Sequence, residues 1–158
     1  MPAGERAVRV IEVKQSVFAA NDRAADGLRE RLRQRGTFLL NLMSSPGSGK
    51  TTTLRRTVEV LAGKLTMGVM EADIDSDVDA RTMADAGVIA VQLHTGGMCH
   101  LDAAMCAQGL AELDRAAADA GADHIDLAVL ENVGNLVCPA EFDTGASVNV
   151  AILSVPEG

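Results

Sequence analysis

An open α/β fold, with a mainly parallel sheet covered by helices, is what the sequence predicts. Two observations carry the prediction. Short apolar runs alternate along the chain with longer amphipathic segments, the pattern of βαβ crossovers. A glycine-rich stretch, Ser-Ser-Pro-Gly-Ser-Gly-Lys-Thr at residues 44–51, also joins one apolar run to one helical segment. The length of 158 residues agrees, being enough for one domain with a true core.

The elements follow in order. Residues 8–13 are a short β-branched run and read as an extended lead-in. Over 16–35, Phe18, Ala25, Leu28 and Leu32 recur at helical spacing among charges, and Gly36 is a stop signal. Residues 1–36 are therefore expected to be an N-terminal extended segment and amphipathic helix, packed on a P-loop domain of residues 37–158. In that domain the apolar run 37–42 reads as a strand and 51–61 as a helix. A strand at 65–71, a helix at 77–86 and a strand at 88–93 come next. A glycine-rich loop then leads to a helix at 101–120, a strand at 125–130, a loop, and a strand at 148–154 that reads as buried.

Position in this order gives residues 44–51 their chemistry. Between a strand and a helix, a Gly-rich loop ending in Lys-Thr turns backbone N–H groups toward phosphates, its lysine reaches the β- and γ-phosphates, and the following hydroxyl binds Mg²⁺. Gly47 and Gly49 bend the loop, Lys50 supplies the charge and Thr51 the metal ligand. The strict pattern has Gly where this chain has Ser44, so the strand and helix on either side carry the assignment.

Acids gather just past two of the strands. Residues 71–79, Glu-Ala-Asp-Ile-Asp-Ser-Asp-Val-Asp, place five carboxylates at the carboxyl edge of the sheet, where ligands of open α/β sheets bind. A calcium loop is excluded, because Val78 stands where the sharp turn needs Gly and Ala84 where a bidentate Glu belongs. Asp73 is a candidate for the Mg²⁺ shell and the attacking water. The alternative for these acids is a cap on the following helix, the chief role expected of Asp77 and Asp79. Residues 127–131, Leu-Ala-Val-Leu-Glu, run into Asn-Val-Gly, and Glu131 with Gly134 matches the acid-x-x-Gly arrangement in which the acid faces Mg²⁺ and the glycine amide meets the γ-phosphate. On a strand end alone, Glu131 would read as a surface residue.

Cys99 and His100 lie in the loop after one strand and Cys138 in the loop after another, so the sheet brings them toward one edge. Thiolate and imidazole favour Zn²⁺ or a thiophilic Ni²⁺ site over hard cations, although three ligands are one short of a closed tetrahedron. The competing reading is free cysteine as a small buried residue. Cys106 falls on the apolar helix face with Leu110 and Leu113 and reads as core; His94 is a distant candidate for a second ligand role, and His124 has no ligand-like neighbour.

Composition excludes several classes. A net charge of −8 and the absence of Trp and Tyr oppose nucleic-acid binding or an anionic membrane surface. No run approaches the roughly 18 apolar residues of a membrane span, and the N-terminal residues do not read as a basic-then-apolar signal peptide. Three cysteines without an export signal read as reduced thiols, which makes the expected compartment cytoplasmic.

Nearly the whole chain resembles the hydrogenase nickel-incorporation GTPases, the HypB family, relatives of the urease accessory GTPases. The resemblance rests on Asn21-Asp22, on residues 41–52 (Asn-Leu-Met-Ser-Ser-Pro-Gly-Ser-Gly-Lys-Thr-Thr), on Thr95-Gly96 with Cys99-His-Leu-Asp-Ala103, and on residues 131–143 (Glu-Asn-Val-Gly-Asn-Leu-Val-Cys-Pro-Ala-Glu-Phe-Asp). It implies a P-loop NTPase of the SIMIBI type that binds and hydrolyses GTP. Lys50, Asp73 and Glu131 would act in hydrolysis; Pro46, Gly47, Ser48, Gly49, Lys50, Thr51, Thr52 and Gly134 would hold the nucleotide; and Thr51, Asp73 and Glu131 would hold Mg²⁺. It further implies Ni²⁺ or Zn²⁺ at Cys99, His100 and Cys138, with the missing ligand supplied at the interface of a nucleotide- and metal-dependent homodimer. The implied partners are a small zinc-containing nickel chaperone of the HypA type and the large-subunit precursor of [NiFe]-hydrogenase.

Where the family usually has Lys, this chain has Gly97, and it carries neither an N-terminal cysteine motif nor a histidine-rich tract. Members of the family also continue beyond the point corresponding to Gly158 into an Asn-Lys-x-Asp motif that reads guanine, so the C-terminal part of the domain is expected to be missing and a hydrophobic sheet edge exposed. Alternative readings are a urease-type nickel accessory GTPase, a small P-loop kinase, which would need an Arg-rich lid not recognisable here, and a non-catalytic metal-binding fragment.

Overall fold

The computed structural model describes residues 13–72 and 80–155, with side chains described over 17–72 and 82–155. Five strands, β1 (Phe38–Ser44), β2 (Met67–Glu71), β3 (Ile89–Gln92), β4 (Leu127–Glu131) and β5 (Val148–Ile152), form one sheet in the order β3-β2-β4-β1-β5. Every neighbouring pair is parallel. The helices are α1 (Val13–Arg35), α2 (Lys50–Leu61), α3 (Ala80–Asp85), α4 (Ala103–Asp119) and a short α5 (Cys138–Glu141).

Because side chains alternate along a strand, each strand serves both faces of the sheet. On one face Leu28 and Leu32 of α1 and Leu110 and Leu113 of α4 pack with Leu39, Met70, Ala128 and Leu130. On the other, Leu54 and Val58 of α2 and Met83 of α3 pack with Leu42, Met67, Val69 and Val129. The central strands β2 and β4 are buried throughout, as their near-continuous apolar sequences require. Two glycines permit close contact with α4. A Cβ on Gly68 would stand 2.6 Å from Leu113 Cδ2, and one on Gly109 would stand 2.9 Å from Met70 Sδ.

Several boundaries differ from the sequence reading. The first strand continues to Ser44 because its pairing with β5 extends to Ser44 opposite Ile152. Val13 is helical where an extended lead-in was expected, while residues 8–12 lie outside the described residues. Of the helix expected over 77–86, α3 covers Ala80–Asp85, and 77–79 lie outside the described residues. The last strand is not buried: among the described residues β5 is an edge strand paired only with β1, and Val148 is 38% exposed. An apolar run reads the same at the centre or edge of a sheet, and only strand order separates the two. The four-residue α5 has no sequence periodicity to announce it.

Candidate nucleotide and metal site

The loop between β1 and α2 has the backbone its glycines dictate. Gly47 (φ 74°) and Gly49 (φ 94°) are left-handed, a conformation costly for other residues, and nothing lies within 4 Å of where a Cβ would be on either. Ser44 is the last, buried residue of β1, and among the described residues no non-glycine has positive φ, which is why serine is tolerated there. Ser48 Oγ donates to Ser45 O at 2.8 Å and closes the turn. Pro46 is exposed, and Thr51 and Thr52 fall in the first turn of α2, whose free N–H groups favour an anion. Buried Ser45 Oγ finds no hydrogen-bond partner among the described residues. An open cradle of backbone donors at the start of a 12-residue helix fits a phosphate chain.

Lys50 is only 6% exposed, and its Nζ donates to Asn132 O, just past the end of β4, at 2.8 Å. The lysine thus links the cradle to the segment that begins with Glu131. Glu131 is fully buried at the end of β4, and Glu71, 7% exposed, ends β2 as its register partner. Alternation with Val69 and Val129 places both carboxylates on the α2 face of the sheet. Glu71 ends its strand, as the reading of 65–71 expects, but its pairing with Glu131 escapes sequence reasoning because that depends on β2 lying beside β4. Asp73, Asp75, Asp77 and Asp79 lie outside the described residues. Thr51 and Glu131 are hard oxygen donors at this end of the site and fit Mg²⁺.

Asn132 is held from three sides. Its Nδ2 donates to Asn41 Oδ1 at 2.9 Å, its Oδ1 accepts from Val133 N at 2.8 Å, and its carbonyl receives Lys50. Asn41 Nδ2 continues the row to Asn149 Oδ1 at 2.9 Å. Hydrogen-bonded polar rows of this kind favour one arrangement in a low-dielectric interior. No sequence signal marks them, since the three asparagines are brought together only by the order β4-β1-β5.

The two loop cysteines meet. Cys138 hydrogen-bonds Cys99, and this bond, followed by burial and nearby negative charge, pushes the Cys138 thiol up from its usual range. His100 Nδ1 lies 4.0 Å from Cys99 Sγ, while its ring stacks on Phe142 with centroids 4.0 Å apart and planes 7° from parallel. Among the described residues, no three of His, Cys, Asp and Glu form a ready-made metal cluster. The donor set is soft, as Zn²⁺ or Ni²⁺ requires, and Cys99 interacts with each of the other two members. Cys106 lies apart in the core, its thiol pushed up to about 12 by burial. His94 lines a groove of about 460 Å³ with Met105, Glu112 and Arg115, and His124 Nε2 lies 3.2 Å from Gly36 O; neither joins the thiols.

Helix α1 is bound to both cysteine loops. Asn21 Nδ2 donates to Asp143 O and Asn21 Oδ1 accepts from Ala103 N, each at 2.9 Å. Arg29 Nη2 donates to both oxygens of Asp143 at 2.7 and 2.9 Å, and Arg29 Nε donates to Ala146 O at 3.0 Å. Burial would raise the Asp143 carboxyl, but the Arg29 hydrogen bonds, the Gly145 N–H and the Arg29 charge together hold it below its ordinary value. Phe18 packs against Phe142 with centroids 4.9 Å apart and planes tilted by 33°, and so joins α1 to the His100–Phe142 stack.

Comparison with known proteins gives one family: residues 38–153 match the model for the "CobW/HypB/UreG, nucleotide-binding domain". The chain is 47% identical over 150 residues to the hydrogenase maturation factor HypB of Azotobacter vinelandii, covering 95% of this chain and 47% of that protein. It is 44% identical over 149 residues to the hydrogenase/urease maturation factor HypB of Helicobacter hepaticus, covering 94% and 59%. The chain thus spans about half the length of the curated relatives it matches. Among solved structures, HypB from Archaeoglobus fulgidus superposes with a TM-score of 0.75 at 38% identity, over 89% of this chain and 64% of that one. HypB from Helicobacter pylori in complex with nickel gives 0.74 at 40% identity, over 88% and 62%.

Proposed function

Since the chain belongs to the CobW/HypB/UreG nucleotide-binding domain family, we propose that it is a GTP-dependent nickel-insertion component of [NiFe]-hydrogenase maturation. In this reading it binds and hydrolyses GTP in the cytoplasm, and carries Ni²⁺ or Zn²⁺ at Cys99, His100 and Cys138 across a homodimer interface. It delivers nickel to the hydrogenase large-subunit precursor together with a small zinc-containing chaperone. One observation supports it most: the buried phosphate-binding lysine donates to the segment that runs from Glu131 to Cys138, so the nucleotide and thiol sites share one loop. The nickel complex of the Helicobacter pylori relative agrees with the metal.

The roles follow from the geometry. Backbone N–H groups around Gly47 and Gly49, with Pro46, Ser48, Thr51 and Thr52, receive the phosphates. Lys50 moves from Asn132 O to the β- and γ-phosphates and offsets charge developing in transfer. Thr51, Asp73 and Glu131 would hold Mg²⁺, which would supply neutralisation of phosphate charge. Asp73 and Glu131 orient water, and the Gly134 amide meets the γ-phosphate. A second reading, delivery to urease, is favoured by the Helicobacter hepaticus relative, a hydrogenase/urease maturation factor.

Calorimetric titration with Mg²⁺–GTP and Mg²⁺–ATP tests the nucleotide half. GTP preference in the native chain and its loss in Lys50→Ala are expected. ATP preference with transfer to a small acceptor would replace the reading by a kinase, and no binding of either nucleotide by a metal-binding module. Cys138→Ala is expected to weaken nickel binding while sparing the nucleotide; unchanged nickel affinity would sink the site assignment.

A further inference from the structure

Besides the Cys99–Cys138 interaction and the His100–Phe142 stack, the two cysteine loops are joined by a side chain that neither the metal nor the nucleotide assignment uses. Asn135 Oδ1 accepts from Cys138 N at 3.0 Å and from Val137 N at 3.1 Å, and its Nδ2 donates to Cys99 O at 3.0 Å. A single planar amide therefore fixes the backbone of both cysteines at once. Among side chains only an amide offers a carbonyl acceptor and an NH₂ donor on one planar group, so the position suits Asn.

Asn135 is also tied back to the phosphate lysine. Its own N–H donates to Val133 O at 2.7 Å; Val133 N donates to Asn132 Oδ1 at 2.8 Å; and Asn132 O accepts from Lys50 Nζ at 2.8 Å. The buried Asn41 amide holds Asn132 from the sheet side at 2.9 Å. These bonds form a continuous path from the P-loop to the backbone of both cysteines.

We propose that Asn135 is the positioning residue that couples nucleotide state to the spacing of Cys99 and Cys138; the inference rests on reading these cysteines as the metal site. Phosphate binding draws Lys50 from Asn132 O, and a buried carbonyl that loses a charge-assisted bond must find a new donor. The peptide between Asn132 and Val133 turns to do so, and Asn135, bonded to Val133 O, moves with it. Because its amide grips both cysteines, the displacement reaches them together.

A merely structural role would be to cap α5 through the two accepted N–H bonds. Asn135→Asp separates the roles: a carboxylate keeps the acceptor for Cys138 N and Val137 N but cannot donate to Cys99 O. The readout is the ratio of nickel affinities with and without saturating Mg²⁺ and the β,γ-imido analogue of GTP. It is measured on the full chain by the thiolate-to-nickel charge-transfer band. A ratio is used because the added carboxylate charge acts on both affinities alike. In the native protein the analogue is expected to change nickel affinity at least about fivefold, and in Asn135→Asp less than about twofold. A native-like ratio in Asn135→Asp would reduce Asn135 to a helix cap and overturn the proposal. A thiolate band in the native protein that ignores the nucleotide would overturn it as well, while leaving the metal site intact. Absence of the band in the native protein would overturn the metal-site reading itself, and this inference with it.

Discussion

Identical side chains meet different fates here according to where the backbone leaves them. Cys106 is fully buried on α4 and its thiol is pushed up to about 12 by that burial, whereas Cys99 is exposed at the sheet edge. Alkylation needs thiolate and access. Native protein treated with iodoacetamide should be labelled first at Cys99, and Cys106 should react only in denaturant; peptide mass spectrometry reads the order. Labelling of Cys106 as fast as Cys99 would remove it from the core. The sequence already separated these two, because Cys106 shares helical phase with Leu110 and Leu113. It also made Gly47, Gly49 and Lys50 legible, since a left-handed turn before a helix leaves a local trace. Asn41, Asn132 and Asn135 left none: their value lies in partners on other strands or loops.

Secondary-structure elements were readable where they were long and periodic. Helix α4 and the buried strands carry their own signal, while α5 is too short for a period and the edge position of β5 is a property of strand order. The closeness of α4 to the sheet depends on Gly68, a strand residue whose missing Cβ makes room for Leu113. Leu113 is fully buried, so admitting a Cβ at Gly68 requires its side chain to shift within the core. Gly68→Ala should therefore cost about 1–3 kcal/mol, measured by urea denaturation, and adding Leu113→Val should recover part of the loss. A stabilised Gly68→Ala would mean that strand propensity outweighs the overlap. Helix α1 is fastened differently, by Arg29 on Asp143. The Asp143 carboxyl is lowered in the folded state, so its stabilisation is complete above the unfolded value of about 4 and is lost as pH falls through the lower folded value. With side chains 37% and 34% exposed, solvent screening limits the pair to about 1 kcal/mol or less. Arg29→Met should reduce stability at pH 7 and converge with the native protein near pH 2; a constant difference at all pH values would assign the effect to packing of the Arg29 stem.

At the scale of the whole molecule, both halves of the candidate site hang on one end of a parallel sheet, as open α/β topology dictates. The cradle opens from β1 on the face of α2. The thiol loops follow β3 and β4 and are braced by α1 from the other face. Central β4 is the element common to both, ending in Glu131 and leading into Asn132 between them. A ligand bound at this edge bridges the loops to the sheet and stabilises the folded state by mass action, provided that it has no affinity for the unfolded chain. Mg²⁺–GTP at a hundred times its Kd should contribute about 2.7 kcal/mol, a rise in Tm of roughly 5–11 °C for a chain of this size. Lys50→Ala should show no rise. Nickel added alone should give its own increment, abolished by Cys138→Ala. If the two ligands communicate through the loop from Glu131 to Cys138, their joint increment departs from the sum of the separate ones by the coupling free energy, which by linkage is the same whichever ligand is added first. Strict additivity in calorimetric scans would show two sites that share a sheet edge and exchange nothing.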